Sequence, residues 1–319
     1  MAPGSLNFEM PGLLERRLIV VTGKGGTGKS TVAIAIGLLA ARRGLRSIVA
    51  EVSDQDRTAR VFGQRSDPYS EEEVSPGLWA ISIGPDEALK EYLHDKAGRL
   101  ADVLTASKTF SHFASATPGM REFVSIGKVW ELAQLERKRK NTDRYDLVIL
   151  DAPATGHGMG LLRTPQTFAD IARIGPVAGQ ARNIQANLAD PAFTAVIAVA
   201  RPEEMPVVET LELKDTLREE LGIGLERIVI NGVHADRFSG RDRTALGRAA
   251  DNGGDPSPLA RAAIASALAD GERVRHENTL MRRLADAAKE PPVTLPFLAA
   301  EAIGPDEIGE LANALEGQL

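Results

Sequence analysis

The chain of 319 residues contains no cysteine, which excludes disulfides, thiolate metal sites and cysteine nucleophiles. Aromatic residues make up only 4% of it, too few to expect a surface that stacks on bases. The longest apolar stretch near the amino terminus, residues 32–41, is too short to cross a bilayer, and no basic segment leading into a long apolar run precedes it. A cytoplasmic protein is therefore expected. Positive charge is also in deficit: the net charge of −6 argues against a general binder of phosphate backbones, so no nucleic-acid partner is expected. Repeats, coiled-coil heptads and low-complexity tracts are missing as well.

What is present suits a folded globular chain, with 43% hydrophobic and 26% charged residues. The length favours one large α/β domain with an insertion over two unrelated domains. Residues 1–16, rich in proline and glycine, read as a mobile lead-in, and residues 17–319 as a single domain. Residues 18–22 form a β-branched apolar run typical of a buried strand. A glycine-rich turn and an apolar helix over about 29–43 follow, then a strand over 47–52, which completes a βαβ unit of the parallel-sheet type. Further strands are expected at 145–150, 194–200 and 227–231. Residues 239–257 read as a surface loop, and helices are expected over about 258–286 and 306–315. The polar, proline-broken stretch between the second and third of these strands reads as a helical insertion, about 64–140.

Gly23-Lys24-Gly25-Gly26-Thr27-Gly28-Lys29-Ser30-Thr31 satisfies G-x-x-x-x-G-K-[ST] and lies between a predicted strand and a predicted helix. The glycines allow backbone N–H groups to curl around phosphate oxygens. Lys29 reaches the outer phosphates and Ser30 supplies a ligand to Mg²⁺, so ATP and Mg²⁺ are the expected cofactors. Leu147-Val148-Ile149-Leu150-Asp151 is an apolar strand ending in a carboxylate, which suits a second Mg²⁺ ligand held directly or through water.

Two features go beyond an ordinary phosphate loop. Lys24, directly after the first glycine, resembles the extra lysine of the MinD, ParA, nitrogenase-iron-protein and ArsA group. Asp151-Ala152-Pro153-Ala154-Thr155-Gly156-His157, with Leu161-Leu162 and Pro165 beyond, closely resembles the switch segment of the ArsA and tail-anchored-protein-targeting ATPases. The resemblance runs from about residue 18 to 315, loosely across the insertion. It implies an α/β P-loop fold with a mostly parallel sheet, and a chain that dimerises face to face over ATP with Lys24 crossing to the partner's nucleotide. It also implies a switch loop that senses the terminal phosphate, for which Gly156 and Gly158 are suitable hinges. By the same resemblance Asn231 reads the adenine edge and Pro296 belongs to the adenine-side loop. His157 fits a switch role better than that of a base or metal ligand.

The chain departs from the family at one place. Where the family carries the aspartate that positions attacking water, Glu51-Val52-Ser53-Asp54-Gln55-Asp56 puts Ser53 in an ungapped alignment. Asp54 or Asp56 can serve only after the loop shifts, and a misplacement of about 1 Å can cost on the order of 100-fold in rate. Two functions stay open: an ATPase switch whose nucleotide state controls a hydrophobic-helix or membrane-protein client, and a catalytically weak subunit of a heterodimer with an active paralogue. A third, a small-molecule kinase, fits Lys24 and the switch segment less well. The apolar face of Met120, Phe123, Val124, Gly127 and Trp130 suits either a client groove or the core. The basic run Glu136-Arg137-Lys138-Arg139-Lys140 suits either a solvated helix end or an anionic surface.

Overall fold

The computed structural model describes residues 12–53, 56–65, 67, 69–97, 117–136, 143–172, 174–251, 257–288 and 291–319. Among these the backbone forms one eight-stranded sheet in the order β3-β4-β2-β5-β1-β6-β7-β8. The strands are β1 Leu18–Thr22, β2 Ser47–Glu51, β3 Glu72–Ser75, β4 Leu78–Ser82, β5 Leu147–Asp151, β6 Thr194–Ala200, β7 Leu225–Val233 and β8 Val293–Pro296. All neighbours run parallel except β3 and β4. This is the α/β P-loop architecture that the βαβ pattern predicts.

Burial explains the sequence pattern strand by strand. β1, β2, β5 and β6 are buried at every position, so they read as continuous apolar runs, not as alternating ones. On one face of the sheet α1, Lys29–Arg42, and the last helix α10, Pro305–Glu316, pack over Ile19, Val21, Val49 and Ile149. The other face carries α3 Pro85–Ala97, α4 Met120–Leu132, α5 Thr155–Ala172, α6 Pro176–Ala189 and α7 Glu204–Leu221. Short α2, Arg57–Val61, follows β2, and α8 Gly240–Asp251 and the long α9 Pro258–Ala287 complete the chain between β7 and β8.

Four expectations need correction. Residues 239–257, read as a surface loop, carry α8 over Gly240–Asp251, whose start is fixed by reciprocal hydrogen bonds between Ser239 and Asp242. The stretch 64–140 is not helical throughout: residues 72–82 form β3 and β4, which extend the sheet beyond β2. Their signal is weak because β3 carries Glu72 and Glu73 at the sheet edge, where solvent replaces a packed face. The lead-in ends earlier than residue 16, since Leu13 and Leu14 join the core and Arg16 is buried against Pro191 and Glu226. Helix α5 begins at Thr155, so Gly156, His157 and Gly158 lie in its first turn and only residues 152–154 form a loop.

The apolar face of α4 belongs to the core. Phe123 is fully buried, stacks on Phe168 of α5 with centroids 4.6 Å apart, and meets Tyr92 of α3 edge-on at 6.0 Å. Residues 137–140 of the basic run lie outside the described residues. Replacing Phe123 by alanine removes this three-helix junction, and a loss of about 3–5 kcal/mol is expected from large-to-small core substitution. A urea titration followed by circular dichroism measures it; an unchanged midpoint would show that α3, α4 and α5 pack independently of this ring.

Candidate active site

The carboxyl ends of β1, β2 and β5 bring the predicted residues together, as open α/β sheets commonly do for their ligands. Residues 23–28 form the turn between β1 and α1. Gly23 has φ 138°, and a side chain there would lie 2.3 Å from the carbonyl oxygen of Val199 on β6. Gly28 has φ 90°, and a Cβ would lie 2.2 Å from Asn231 Nδ2. Neither position admits any other residue without moving backbone or a buttressing amide. Gly26 also turns through positive φ, and Gly25 faces Ala154 after β5.

The loop is held open by its own side chains. Thr27 Oγ1 and Lys29 Nζ both donate to the carbonyl of Lys24, each at 3.0 Å. Asn231 Nδ2 donates to the carbonyl of Thr27 at 2.9 Å. No side chain caps the amino end of α1 at Gly28, which leaves its first N–H groups turned toward the space a phosphate would fill. Ser30 and Thr31 occupy the first turn of that helix.

Two carboxylates stand side by side at this edge, because Glu51 of β2 and Asp151 of β5 are register partners. They are handled differently. Glu51 is buried, and its Oε1 accepts from the Thr58 N–H at 2.6 Å and from the Thr58 hydroxyl, while Oε2 accepts from the Arg57 N–H at 3.0 Å. Asp151 is buried with Oδ1 unpaired. Burial pushes its carboxyl up to about 6, with Glu51 adding to the shift and the Ser30 hydroxyl, Lys29 and Arg57 opposing it. Burial also lowers the pKa of Lys29, against the pull of Asp151 and with the push of Arg57. The Arg57 guanidinium donates to Ser30 Oγ at 3.2 Å.

The residues present fit Mg²⁺. Thr22 Oγ1 at the end of β1, Asp151 Oδ1 at the end of β5 and Thr155 Oγ1 at the start of α5 are buried polar atoms without a hydrogen-bond partner. Among the described residues no three His, Cys, Asp or Glu side chains form a metal cage. A Mg²⁺ held by one carboxylate, one hydroxyl, waters and nucleotide phosphates needs none.

The remaining predicted residues are distributed as follows. Lys24 forms an ion pair with Glu209 of α7, both groups about three-tenths exposed. Asn231 spends one amide hydrogen on the phosphate loop, which its expected adenine role did not foresee. Pro296 ends β8 opposite Val233 of β7, and the Phe297 N–H donates back to the Val233 carbonyl while its ring stacks on His234, whose ring Nδ1 lies 2.7 Å from Glu277. Asp54 lies outside the described residues. Asp56 precedes α2 with φ 41°, a left-handed conformation that aspartate tolerates better than most residues. His157 is exposed. Sequence reasoning missed Glu51, Arg57 and the pairing of Glu209; a lone buried glutamate at a strand end was the available signal for the first.

A phosphate-cradling loop between a strand and a helix, with a carboxylate ending the adjacent strand, defines a P-loop nucleotide-binding protein. The family model for anion-transporting ATPases matches residues 16–184, more than half of the 319-residue chain. The chain belongs to that family. It is 33% identical over 225 residues to the ATPase BagA of Mycobacterium tuberculosis, covering 67% of this chain and 64% of the relative. It is 26% identical over 231 residues to a putative arsenical pump-driving ATPase of Halobacterium salinarum, covering 68% of this chain and 35% of the relative. An arsenical pump-driving ATPase of Escherichia coli matches at 26% over 244 residues, covering 70% and 40% respectively. The chain thus spans just under two thirds of BagA and well under half of the two pump ATPases.

The raised Asp151 carboxyl carries a prediction for the nucleotide-free chain. Its folded-state pKa of about 6 lies above the ordinary value of 3.8. Between those values the folded chain therefore binds more protons than the unfolded one, and the cost of burying the charge is complete above pH 6 and relieved toward pH 4. Asp151→Asn is expected to stabilise the nucleotide-free chain by about 1–3 kcal/mol at pH 8, with the gain disappearing near pH 4. Thermal melts at both pH values measure it. A destabilised variant at pH 8 would show that the ionised carboxylate is already well paired.

Proposed function

We propose that the chain is a Mg²⁺-dependent ATPase that acts as a dimeric switch in the cytoplasm. The observation that carries this reading is the convergence of the Gly23–Gly28 loop, Lys29, Ser30 and the buried Asp151, one of whose oxygens lacks a hydrogen-bond partner, at the end of three adjacent strands. The backbone N–H groups of the loop and the amino end of α1 would take the β- and γ-phosphates, and Lys29 would lie along them. Ser30 and Asp151 would hold Mg²⁺, which when bound neutralises phosphate charge. In the overall reaction a water oxygen bonds to the terminal phosphorus, the bridging P–O bond breaks, and ADP leaves with the electron pair of that bond. The water's protons are left on phosphate and solvent.

Lys24 supports the dimeric part of the reading. In the single chain it is neutralised by Glu209, so crossing to a partner's nucleotide exchanges one carboxylate for the more highly charged phosphates. Helix α5 supports the switch. It starts four residues after Asp151, runs for 18 residues, or about 27 Å, and carries strongly exposed apolar residues at and just beyond its far end, Ile171 at 75% and Ile174 at 89%. A rearrangement of residues 152–154 on loss of the terminal phosphate would be carried along it to a client with a hydrophobic helix or a membrane-protein segment. Among the described residues no helix is itself long and apolar enough to cross a membrane.

Ser53 favours a second reading, the catalytically weak partner of an active paralogue. It stands where the family has its water-positioning carboxylate, and its carbonyl is tied to the Ser82 hydroxyl. Adenine recognition by Asn231 and Pro296 is common to both readings.

Steady-state ATP hydrolysis by the chain alone, with protein concentration varied and Lys29→Ala as the blank, separates them. Specific turnover that rises with concentration supports the self-sufficient dimer; ATP binding without turnover moves the assignment to the heterodimer. If Lys24 must leave Glu209 to act, Glu209→Gln shifts the half-maximal concentration down about 2–5-fold, the scale of a part-exposed ion pair. An upward shift would mean that Glu209 belongs to the assembled interface.

A further inference from the structure

Arg57 holds a fixed place beside the phosphate loop. It opens α2, a helix of only five residues, and a cation in a first turn opposes the helix dipole. The side chain is exposed, so it contributes no core packing. Its backbone is nonetheless fixed at both ends. Asp56 turns the chain through the left-handed region, and buried Glu51 grips the N–H groups of Arg57 and Thr58. This clamp delivers a guanidinium to Ser30 Oγ at 3.2 Å, on the outer-phosphate side of the loop. Lys29 already occupies that side, within reach of Arg57's charge. Two cations are thus brought to one small volume at the mouth of the loop.

We propose that Arg57 contacts the terminal phosphate of bound ATP from within the same chain, adding a cation that the phosphate loop does not supply. The inference rests on the Mg²⁺·ATP reading of the site and names a further residue for it. Arginine suits the task because its planar fork donates two parallel hydrogen bonds to phosphate oxygens, and charge placed there stabilises the negative charge of the departing phosphoryl group. The contact is specific for the γ-phosphate, since the α- and β-phosphates lie deeper in the cradle of loop N–H groups. Arg57 therefore distinguishes ATP from ADP. It also explains how the loop after β2 can sense the nucleotide when Ser53 offers no carboxylate: Glu51 ties Arg57 rigidly to the end of the strand next to Asp151.

The test is a fluorescent-nucleotide displacement titration on the full chain, giving the dissociation constants of ATP and ADP with Mg²⁺ and again with EDTA. Arg57→Ala is expected to weaken ATP about 10-fold, the scale of a charge-assisted hydrogen bond, and ADP less than about 2-fold. Arg57→Lys is expected to recover part of the ATP loss in Mg²⁺ and in EDTA alike. Thermal melts of both variants, with Arg57→Gln as a third that keeps most of the stem, identify any loss due to misfolding. Equal weakening of ATP and ADP in a folded variant, or ATP affinity unchanged in all three, overturns the assignment while leaving the nucleotide site standing. A wild-type chain that binds neither nucleotide overturns the site itself, and Arg57's role with it.

Discussion

Two carboxylates placed in register on neighbouring parallel strands set the terms for the whole carboxyl edge of the sheet. Glu51 and Asp151 are both buried, and two adjacent anions in such a place repel each other and lack water. The fold answers each in a separate way. Glu51 is saturated by the hydroxyl and N–H groups of the segment that follows β2, so its charge anchors a loop. Asp151 keeps an oxygen without a hydrogen-bond partner. A strand pair identical in direction and register thereby yields one carboxylate bonded at both oxygens and one with an oxygen left over.

The same division runs through the cations. Lys29 is folded back onto the carbonyl of Lys24 and so braces the loop. Lys24 is neutralised from α7, and Arg57 is carried in from α2. Three positive groups from three elements thus stand around the loop, each restrained by a different neighbour. In a low-dielectric cleft, fixing such groups in advance is worth more than adding further charges, because no reorganisation is needed when the phosphate arrives.

How much of this was legible in the sequence depended on whether the constraint was local. The phosphate loop and the strand ending in Asp151 were legible because glycine spacing and a buried apolar run are contiguous signals. The strand pair at 72–82 was not, since Glu72 and Glu73 at an exposed edge mask a pattern that only pairing with β2's neighbour establishes. Arg57 and Glu51 were hidden for another reason: their significance lies in a hydrogen-bonding circuit that closes across six or seven positions and then reaches to Ser30. The apolar stripe of α4 was readable as a stripe, but sequence alone offered no way to tell that Phe168 and Tyr92 already cover it.

The contact between Asn231 and the phosphate loop links two segments about 200 residues apart in the chain. The amide of Asn231 fills the space that any side chain at position 28 would occupy, and its hydrogen bond holds the carbonyl just before that position. Positions 28 and 231 therefore cannot drift independently over evolutionary time. A larger residue at either one is tolerated only with compensation at the other, so β7 and the glycine-rich loop are inherited as a single unit.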